Sequence, residues 1–521
     1  MDVSICGKAL VEPRFYGSVE GYVIVEPFSR DSRETVVKVY IKNYGFGKRY
    51  TIDLLVCNDL VERRSAKLEV GEILGFEVDV RARDRCSVKL KVDGYTIDYI
   101  DQMVVYSEYS RPISIVIVFH HHQPPNYGPD KRYLSLWPFI YVWRPILSPY
   151  GLGPYHYHAS ILSKYRGYTY ITYNLSPSLL AQWIDIVDNG ITTVSGESIE
   201  KSSGLAQIVR EAMDMYRSLA ESNSIEVLTS IYAHTIAGYI VDHLELDRVI
   251  SRELEYGLNI SRKFLGRDPR GIWLPEMSFS MKLIHILSSF NLEYTFLDER
   301  YHFLSSQGDR ESPYEPYIVQ DAVTGESVVV FFRDTELSND IGFNNNYCSE
   351  IHAIKGAYAF VTKLLTKAIN NRARVITLAL DGENWMIASR NPPATAVFLD
   401  ILLNLFTKMK KIGIARTILP NEVLRDNPPK KKLTFIPSTT WLGSYTKWRG
   451  EVKEHEVFWR EVESRVKKFK EYINRYGYNE KTEKAEWALW HILDSDYWWA
   501  EFWSREVISL WIKEFDNHIK H

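Results

Sequence analysis

Between Ile113 and Leu419 the chain repeatedly delivers short runs of apolar and β-branched residues, too uniformly apolar for a sheet with one wet face. They are Ile113 to Phe119, Thr169 to Tyr173, Ile225 to Ser230, Gly271 to Leu274, Tyr294 to Leu297, Val328 to Phe332, Val375 to Leu380 and Arg416 to Leu419. Helical patterns separate them: Leu205 to Ala220, Leu246 to Phe264, Met281 to Phe290, Ala357 to Asn370 and Ala394 to Lys410. Strands alternating with helices in this way require a parallel α/β sheet, because each parallel strand needs a long crossover before the next. The simplest closure is a barrel over residues 111–427.

The flanks read differently. From Val36 to Tyr99 the period is two, with Val37, Val39 and Ile41 alternating with Lys38, Tyr40 and Lys42, then Phe76, Val78 and Val80, then Val88, Leu90 and Val92. Asp93-Gly94 is a strong hairpin turn signal. The spacing predicts an immunoglobulin-like β-sandwich over residues 1–110, whose role is packing or spacing unless it binds a ligand or a partner. After the break at Asn427 to Lys432 the pattern turns helical: Lys453 to Tyr476, Glu480 to Leu493, and Ser495 to Ile519 with Ser495 as cap, a helical domain over 428–521. Trp487, Trp490, Trp498, Trp499 and Trp503 in this region are expected to be mostly core.

At 521 residues two or three domains are expected. A net charge of −3 gives no electrostatic case for nucleic acid or an anionic membrane surface, so a small neutral ligand fits better. No apolar run is long enough to span a bilayer, and Met1 to Glu20 lacks the build of a secretory leader, so the expectation is a cytoplasmic protein. Cys6, Cys57, Cys86 and Cys348 have no metal-site spacing, which leaves one disulfide within the first hundred residues open. Aromatic residues make up 13%, a proportion that suits stacking on sugars as well as a large core. No cofactor is expected, and the sequence assigns no oligomeric state.

Several strands end in residues that cost stability unless they are paired or used. Ile113 to Phe119 runs into His120-His121-His122-Gln123; Ile225 to Ser230 carries Glu226 and is followed by His234; Gly271 to Leu274 runs through Trp273 and Pro275 into Glu276; Val375 to Leu380 ends in Asp381-Gly382-Glu383, before Trp385. Parallel barrel strands open on one face, so these groups are expected to converge. Two acids from different strands among imidazoles, amides and indoles suit glycosidic bond cleavage, one protonating the leaving oxygen while the other attacks or activates water.

On these residues the sequence resembles glycoside hydrolase family 57. HHHQP at His120 to Pro124, IEVLTSIYAH at Ile225 to His234, GIWLPE at Gly271 to Glu276 and DGENW at Asp381 to Trp385 occur in the family's order, with LDSDYWW at Leu493 to Trp499 as a fifth block. FFRDTELSNDIGF, Phe331 to Phe343, is similar to a stretch in amylase and amylopullulanase members. The resemblance implies an α/β fold, an incomplete TIM-type (β/α)7 barrel with the N-terminal sandwich outside the match and a C-terminal helical bundle beside the site. It implies Glu276 as nucleophile and Asp381 as general acid/base, with His120, His122, Gln123, Glu226, His234, Trp273, Glu383, Trp385, Asp496 and Trp498 lining the sugar site, and no metal. The mechanism implied is retaining, which requires the two carboxyl groups to sit about 5–5.5 Å apart. Gln123-Pro124 and Asn384-Trp385 are closer to amylase and amylopullulanase members than to branching enzymes or glucanotransferases; Met386-Ile387 departs from them. The expectation is hydrolysis of α-1,4 glucan, with α-1,6 linkages as a further candidate. The rivals are a 4-α-glucanotransferase of the same family, a metal-dependent hydrolase using His120, His121 and His122, and a glucan-binding protein without turnover.

Overall fold

The computed structural model describes residues 6–30, 34–81, 85–106 and 112–519; the expected boundary between residues 110 and 111 lies outside them. The chain is mixed α/β and forms two compact units. The first comprises Met1–Ile117, Arg144–Tyr170 and Glu336–Ile418, and the second Val118–Trp143, Ile171–Thr335 and Leu419–His521. Among the described residues no helix is long and apolar enough to cross a membrane.

In the first unit two four-stranded antiparallel sheets pair Phe15–Tyr16, Val19–Val25, Glu34–Asn43 and Ile73–Arg81 in one, and Asp59–Leu68, Lys48–Val56, Arg85–Val92 and Tyr95–Met103 in the other. Val37, Val39, Ile41, Ile52, Leu54, Val88 and Leu90 from both meet in one buried cluster. Val92 pairs with Tyr95 across Asp93-Gly94, both at positive φ (+48° and +83°), the two-residue turn that matches the strands' twist. The outward residues Lys38, Tyr40 and Lys42 are not solvated as a free sheet face would be. Lys42 donates to Glu350 at 2.8 Å, and Lys355 of the helix Glu350–Asn370 reaches the buried Asp98 at 3.2 Å, so this helix packs on the sheet's other side. It starts earlier than its apolar pattern suggests because Ser349 Oγ accepts from His352 N.

Cys6 pairs with Cys348, not with a cysteine of the first hundred residues; Cys57 and Cys86 are free. Backbone bonds Gly7 N to Asn346 O and Asn346 N to Lys8 O lay the amino-terminal segment along Asn345 to Cys348 and bring the two Cα atoms to 4.7 Å. The strand Val375–Asp381 lies in this unit, as does Ala415–Thr417, which pairs in parallel with Ile113–Ile115.

In the second unit the parallel ladder runs from Val118–His121 to Thr172–Leu175, from Ile171–Asn174 to Ile225–Leu228, and from Thr229–Ser230 to Ile272–Trp273. Tyr294–Asp298 pairs in parallel with Val329–Arg333, and Tyr317–Gln320 adds an antiparallel strand to Ser327–Arg333. Helices Gly204–Glu221 and Asp247–Leu265 match their sequence patterns, the first capped by Ser203 and the second stopped by Gly266 at φ +68°. Lys453–Tyr476 and Glu480–Ile492 also follow the pattern. The single helix expected over Ser495 to Ile519 is broken into Ser495–Trp498, Ala500–Phe502 and Arg505–His518, because Trp499 and Trp503 take extended ψ values of 127° and 117°. Its cap is Asp494, whose side chain accepts from Asp496 N, which leaves the Ser495 hydroxyl for another partner.

Candidate active site

In the second unit the parallel strands end on one edge, and there the cluster is built outward from Asn174. Its amide nitrogen donates to Leu228 O at 3.2 Å and Thr229 O at 3.0 Å, so Oδ1 must face His120 Nδ1, 2.7 Å away. A carbonyl oxygen accepts, so His120 carries its proton on Nδ1 and its Nε2 accepts from His234 Nε2 at 3.0 Å. His234 Nδ1 lies 2.8 Å from the Ser495 hydroxyl and 3.3 Å from Asp496 Oδ2. One amide thus fixes the proton direction from Asn174 through His120 to His234 Nε2. His120, His122 and His234 are stacked, with centroids 3.9–5.3 Å apart, and Trp273 lies on His120 at 4.7 Å.

His122 Nε2 donates to Asp496 Oδ2 at 2.8 Å and its Nδ1 meets Ser176 Oγ at 2.8 Å. Burial, reinforced by the neighbouring rings, holds His120 well below its ordinary range and His122 down to about 4. Burial alone would raise Asp496, but His122 and His234 outweigh it and keep it ionised; the buried Asp494 beside it is pushed up by burial and by that charge.

Glu276 sits in the turn Pro275–Met277 at φ +57°, ψ 18°, a left-handed conformation that non-glycine residues seldom adopt, and His234 has φ +55°. Trp441 holds the turn twice: its backbone N donates to Glu276 O at 3.2 Å and its indole Nε1 donates to Glu276 Oε2 at 2.8 Å. Glu276 Oε1 is 3.9 Å from His234 Nδ1. The structure therefore brings His120, His122, His234, Trp273, Glu276 and Asp496 together, with Gln123 following His122 and accepting at its carbonyl from Ser178.

Two expected residues of the second unit, Glu226 and Trp498, lie elsewhere in it. Glu226 is at the opposite end of its strand, about 13 Å of strand from Ser230, where it accepts from Asn421 N at 3.2 Å and bonds Tyr294. Sequence order placed it in the right block, but it is the second residue of Ile225–Ser230 and so sits at the strand's start. Gly271, which opens the GIWLPE block, is required there because a Cβ would lie 2.3 Å from the Tyr294 ring. Trp498 is a core ring, stacked on Trp459 at 4.3 Å with its Nε1 donating to Ile492 O. Trp385 is also core, meeting Phe398 and His158 edge-on, while its carbonyl accepts from Asn345.

Asp381 and Glu383 belong to the first unit with Trp385. Asp381 is the exposed last residue of Val375–Asp381 and accepts from Asn384 Nδ2 at 2.9 Å; Glu383 is buried at the start of the helix Asn384–Ile387. Asn174, Ser176, Ser495 and Trp441 were missed in the sequence. Asn174 and Ser176 carried the same signal as His120, polar groups where an apolar strand stops; Trp441, in an irregular stretch, carried none.

The three histidines have the composition of a metal site, with ligand atoms within 4.8 Å. Each of their ring nitrogens is also engaged in the hydrogen bonds above.

Residues 116–435 match the sequence profile of glycosyl hydrolase family 57. The chain belongs to that family. It is similar to an α-amylase of Pyrococcus horikoshii, 31% identical over 146 residues that are 28% of this chain and 22% of the relative. A 4-α-glucanotransferase of Thermococcus litoralis is 30% identical over 131 residues, 25% and 18% of the two chains. The chain thus spans about a fifth of the length of the curated relatives it matches. Among solved structures, the family 57 branching enzyme of Pyrococcus horikoshii superposes with a TM-score of 0.53 at 15% identity, covering 78% of this chain and 88% of that one; the likeness is one of fold. The family match contains His120, His122, His234, Glu276 and Asp381 and stops short of Trp441 and Asp496.

Proposed function

We propose that this family 57 chain is a retaining glycoside hydrolase of α-glucans, acting on α-1,4 linkages with α-1,6 as a second candidate. Glu276 is the nucleophile and Asp381 the general acid/base. The observation that carries the reading is Glu276 itself: a carboxylate in a strained turn, its side chain 16% exposed, held by an indole N–H beside an imidazole cluster. A carboxylate so anchored, with one oxygen held by an indole N–H, is oriented to attack. Asp381, exposed at the end of its strand, has the access to water that a group cycling a proton needs. His122, Asp496 and Trp273 supply donors, acceptors and a flat face for sugar hydroxyls and ring carbons. In the first step the Glu276 carboxylate bonds to the anomeric carbon as the glycosidic C–O bond breaks, the leaving oxygen taking the proton of Asp381. In the second, water bonds to that carbon, the ester breaks, and Asp381 recovers the proton.

The proposal extends to a (β/α)7 barrel over 111–427 between a sandwich over 1–110 and a helical domain over 428–521, to cytoplasmic residence, and to a glucan as the only partner class, without nucleic acid or membrane. Incubation with maltooligosaccharides, pullulan and soluble starch tests it: new reducing ends of retained configuration are expected. Chain-length redistribution without new reducing ends would replace hydrolysis by transfer, the reading favoured by the 4-α-glucanotransferase among the relatives.

A further inference from the structure

The stretch Phe331 to Phe343 contains Arg333, and the mechanism above does not use it. Arg333 ends its strand directly beside Asp298 in the parallel register. Asp298 is fully buried and accepts four bonds: Arg333 Nε at 2.8 Å and Thr335 Oγ1 at 3.0 Å on Oδ2, Arg300 N at 2.9 Å and Tyr301 N at 3.2 Å on Oδ1. A carboxylate with that many donors is immobile, and it immobilises the guanidinium, which is itself only 5% exposed. The guanidinium carbon lies 5.3 Å from the ring centroid of Trp441, within cation–π reach. Trp441 in turn donates to Glu276 Oε2. The loop bearing Trp441 is tied to the same turn by Phe279 N to Thr439 O and by Tyr445 Oη to Ser278 Oγ.

We propose that Trp441 and Arg333 are positioning residues that orient the Glu276 carboxylate: the indole N–H holds Oε2 while Oε1 bonds the anomeric carbon. The inference rests on the nucleophile reading above. As Oε1 forms the ester and the glycosidic bond breaks, with the leaving oxygen protonated by Asp381, Oε2 becomes the ester carbonyl and keeps the indole hydrogen bond. When water displaces Oε1 the carboxylate returns to the same orientation. Arg333, clamped by Asp298, lies over the indole and keeps it from swinging. His234 faces Glu276 at 3.9 Å, Asp496 lies 3.3 Å from the same His234 nitrogen, and Arg333 lies over the Trp441 ring.

The test uses the full chain. Trp441→Phe removes the N–H and keeps a ring; kcat should fall about ten- to hundredfold with KM within about threefold, and the acidic limb of kcat/KM should move to higher pH because the ionised carboxylate has lost a donor. Arg333→Lys keeps the charge but not the fork, and should lower kcat several-fold with a limb shift of the same sign; it decides the matter should the first variant not fold. Wild-type kcat and pH profile in both variants would overturn the inference. Glu276→Ala with added azide separates the two levels: formation of a glycosyl azide of inverted configuration upholds Glu276 as nucleophile whatever Trp441 does, and its absence removes the reading on which the inference stands.

Discussion

The left-handed turn at Glu276 leads to a measurable inversion of the usual order of stability. At φ +57° a side chain costs roughly 1–2 kcal/mol that glycine avoids. Glycine in place of alanine also frees the unfolded chain, by about 0.4–1 kcal/mol. Glu276→Gly should therefore be more stable than Glu276→Ala by roughly 0.5–1 kcal/mol, whereas at an ordinary loop position alanine wins. Both variants lose the same carboxylate and the same acceptor for Trp441, so the difference isolates the backbone. With about 2.1 cal/mol/K of unfolding entropy per residue, a 521-residue chain carries about 1.1 kcal/mol/K, and the two melting midpoints should differ by about 0.5–1 °C if the chain melts as one body. The gap widens in proportion if only the second unit melts in the transition. Calorimetry of the two proteins side by side, with urea midpoints for the free energy, is the assay. Alanine equal to or better than glycine would refute the strained turn, and with it the view that the fold forces Glu276 into place.

Buried histidines make the chain acid-sensitive. His122, His302, His352 and His491 are pushed down to about 4 and His158 to about 3, in each case by burial first. Their folded values lie below the unfolded value, so the stability from keeping them neutral is complete above about pH 6.5 and is lost as pH falls toward 4, at up to about 3 kcal/mol each; a urea midpoint unchanged between pH 7.5 and 4.5 would contradict this. Because the cluster's ring nitrogens are used in hydrogen bonds, prolonged chelation should leave glucan turnover intact, and loss of activity restored by zinc would overturn that account. Asp381→Asn should cost about 10²–10⁴ in turnover of natural glucans and far less in the first step on an aryl glycoside whose leaving group needs no proton; equal losses on both substrates would remove Asp381 as the acid. A crystal structure of a trapped glycosyl-enzyme should show its carboxyl about 5–5.5 Å from that of Glu276, and more than about 8 Å would exclude the retaining pair.

Where local pattern and tertiary environment agree, the sequence was enough. Ile225–Ser230 and Lys453–Tyr476 have the bounds their patterns predict, because an apolar run or a helical stripe faces a single environment along its length. Val19–Val25 was missed because all seven residues are buried, one face in the cluster between the two sheets and the other under the helix Glu350–Asn370, so no alternation survives. In the site, strand ends pointed to His120, His122 and Glu276, yet the same reasoning put Glu226 with them, since block order does not say which end of a strand a residue occupies. Trp385 and Trp498 show the complementary limit: an indole in a motif block can be a core ring as easily as a sugar platform. Trp441 reaches Glu276 across 165 positions by way of a loop with no periodicity, and only coordinates reveal such a contact.

The bond between Cys6 and Cys348 has a consequence for the protein's life after damage. It closes a covalent ring over a separation of 342 residues. A protease that cuts any one peptide bond inside that ring leaves a nicked but undivided molecule, with the strands of the first sheets and the segment beside Asp381 and Trp385 still linked through sulfur. Such a product should run as one band without reductant and as two with it, and a cut beyond Cys348 should release a separate carboxy-terminal piece under both conditions.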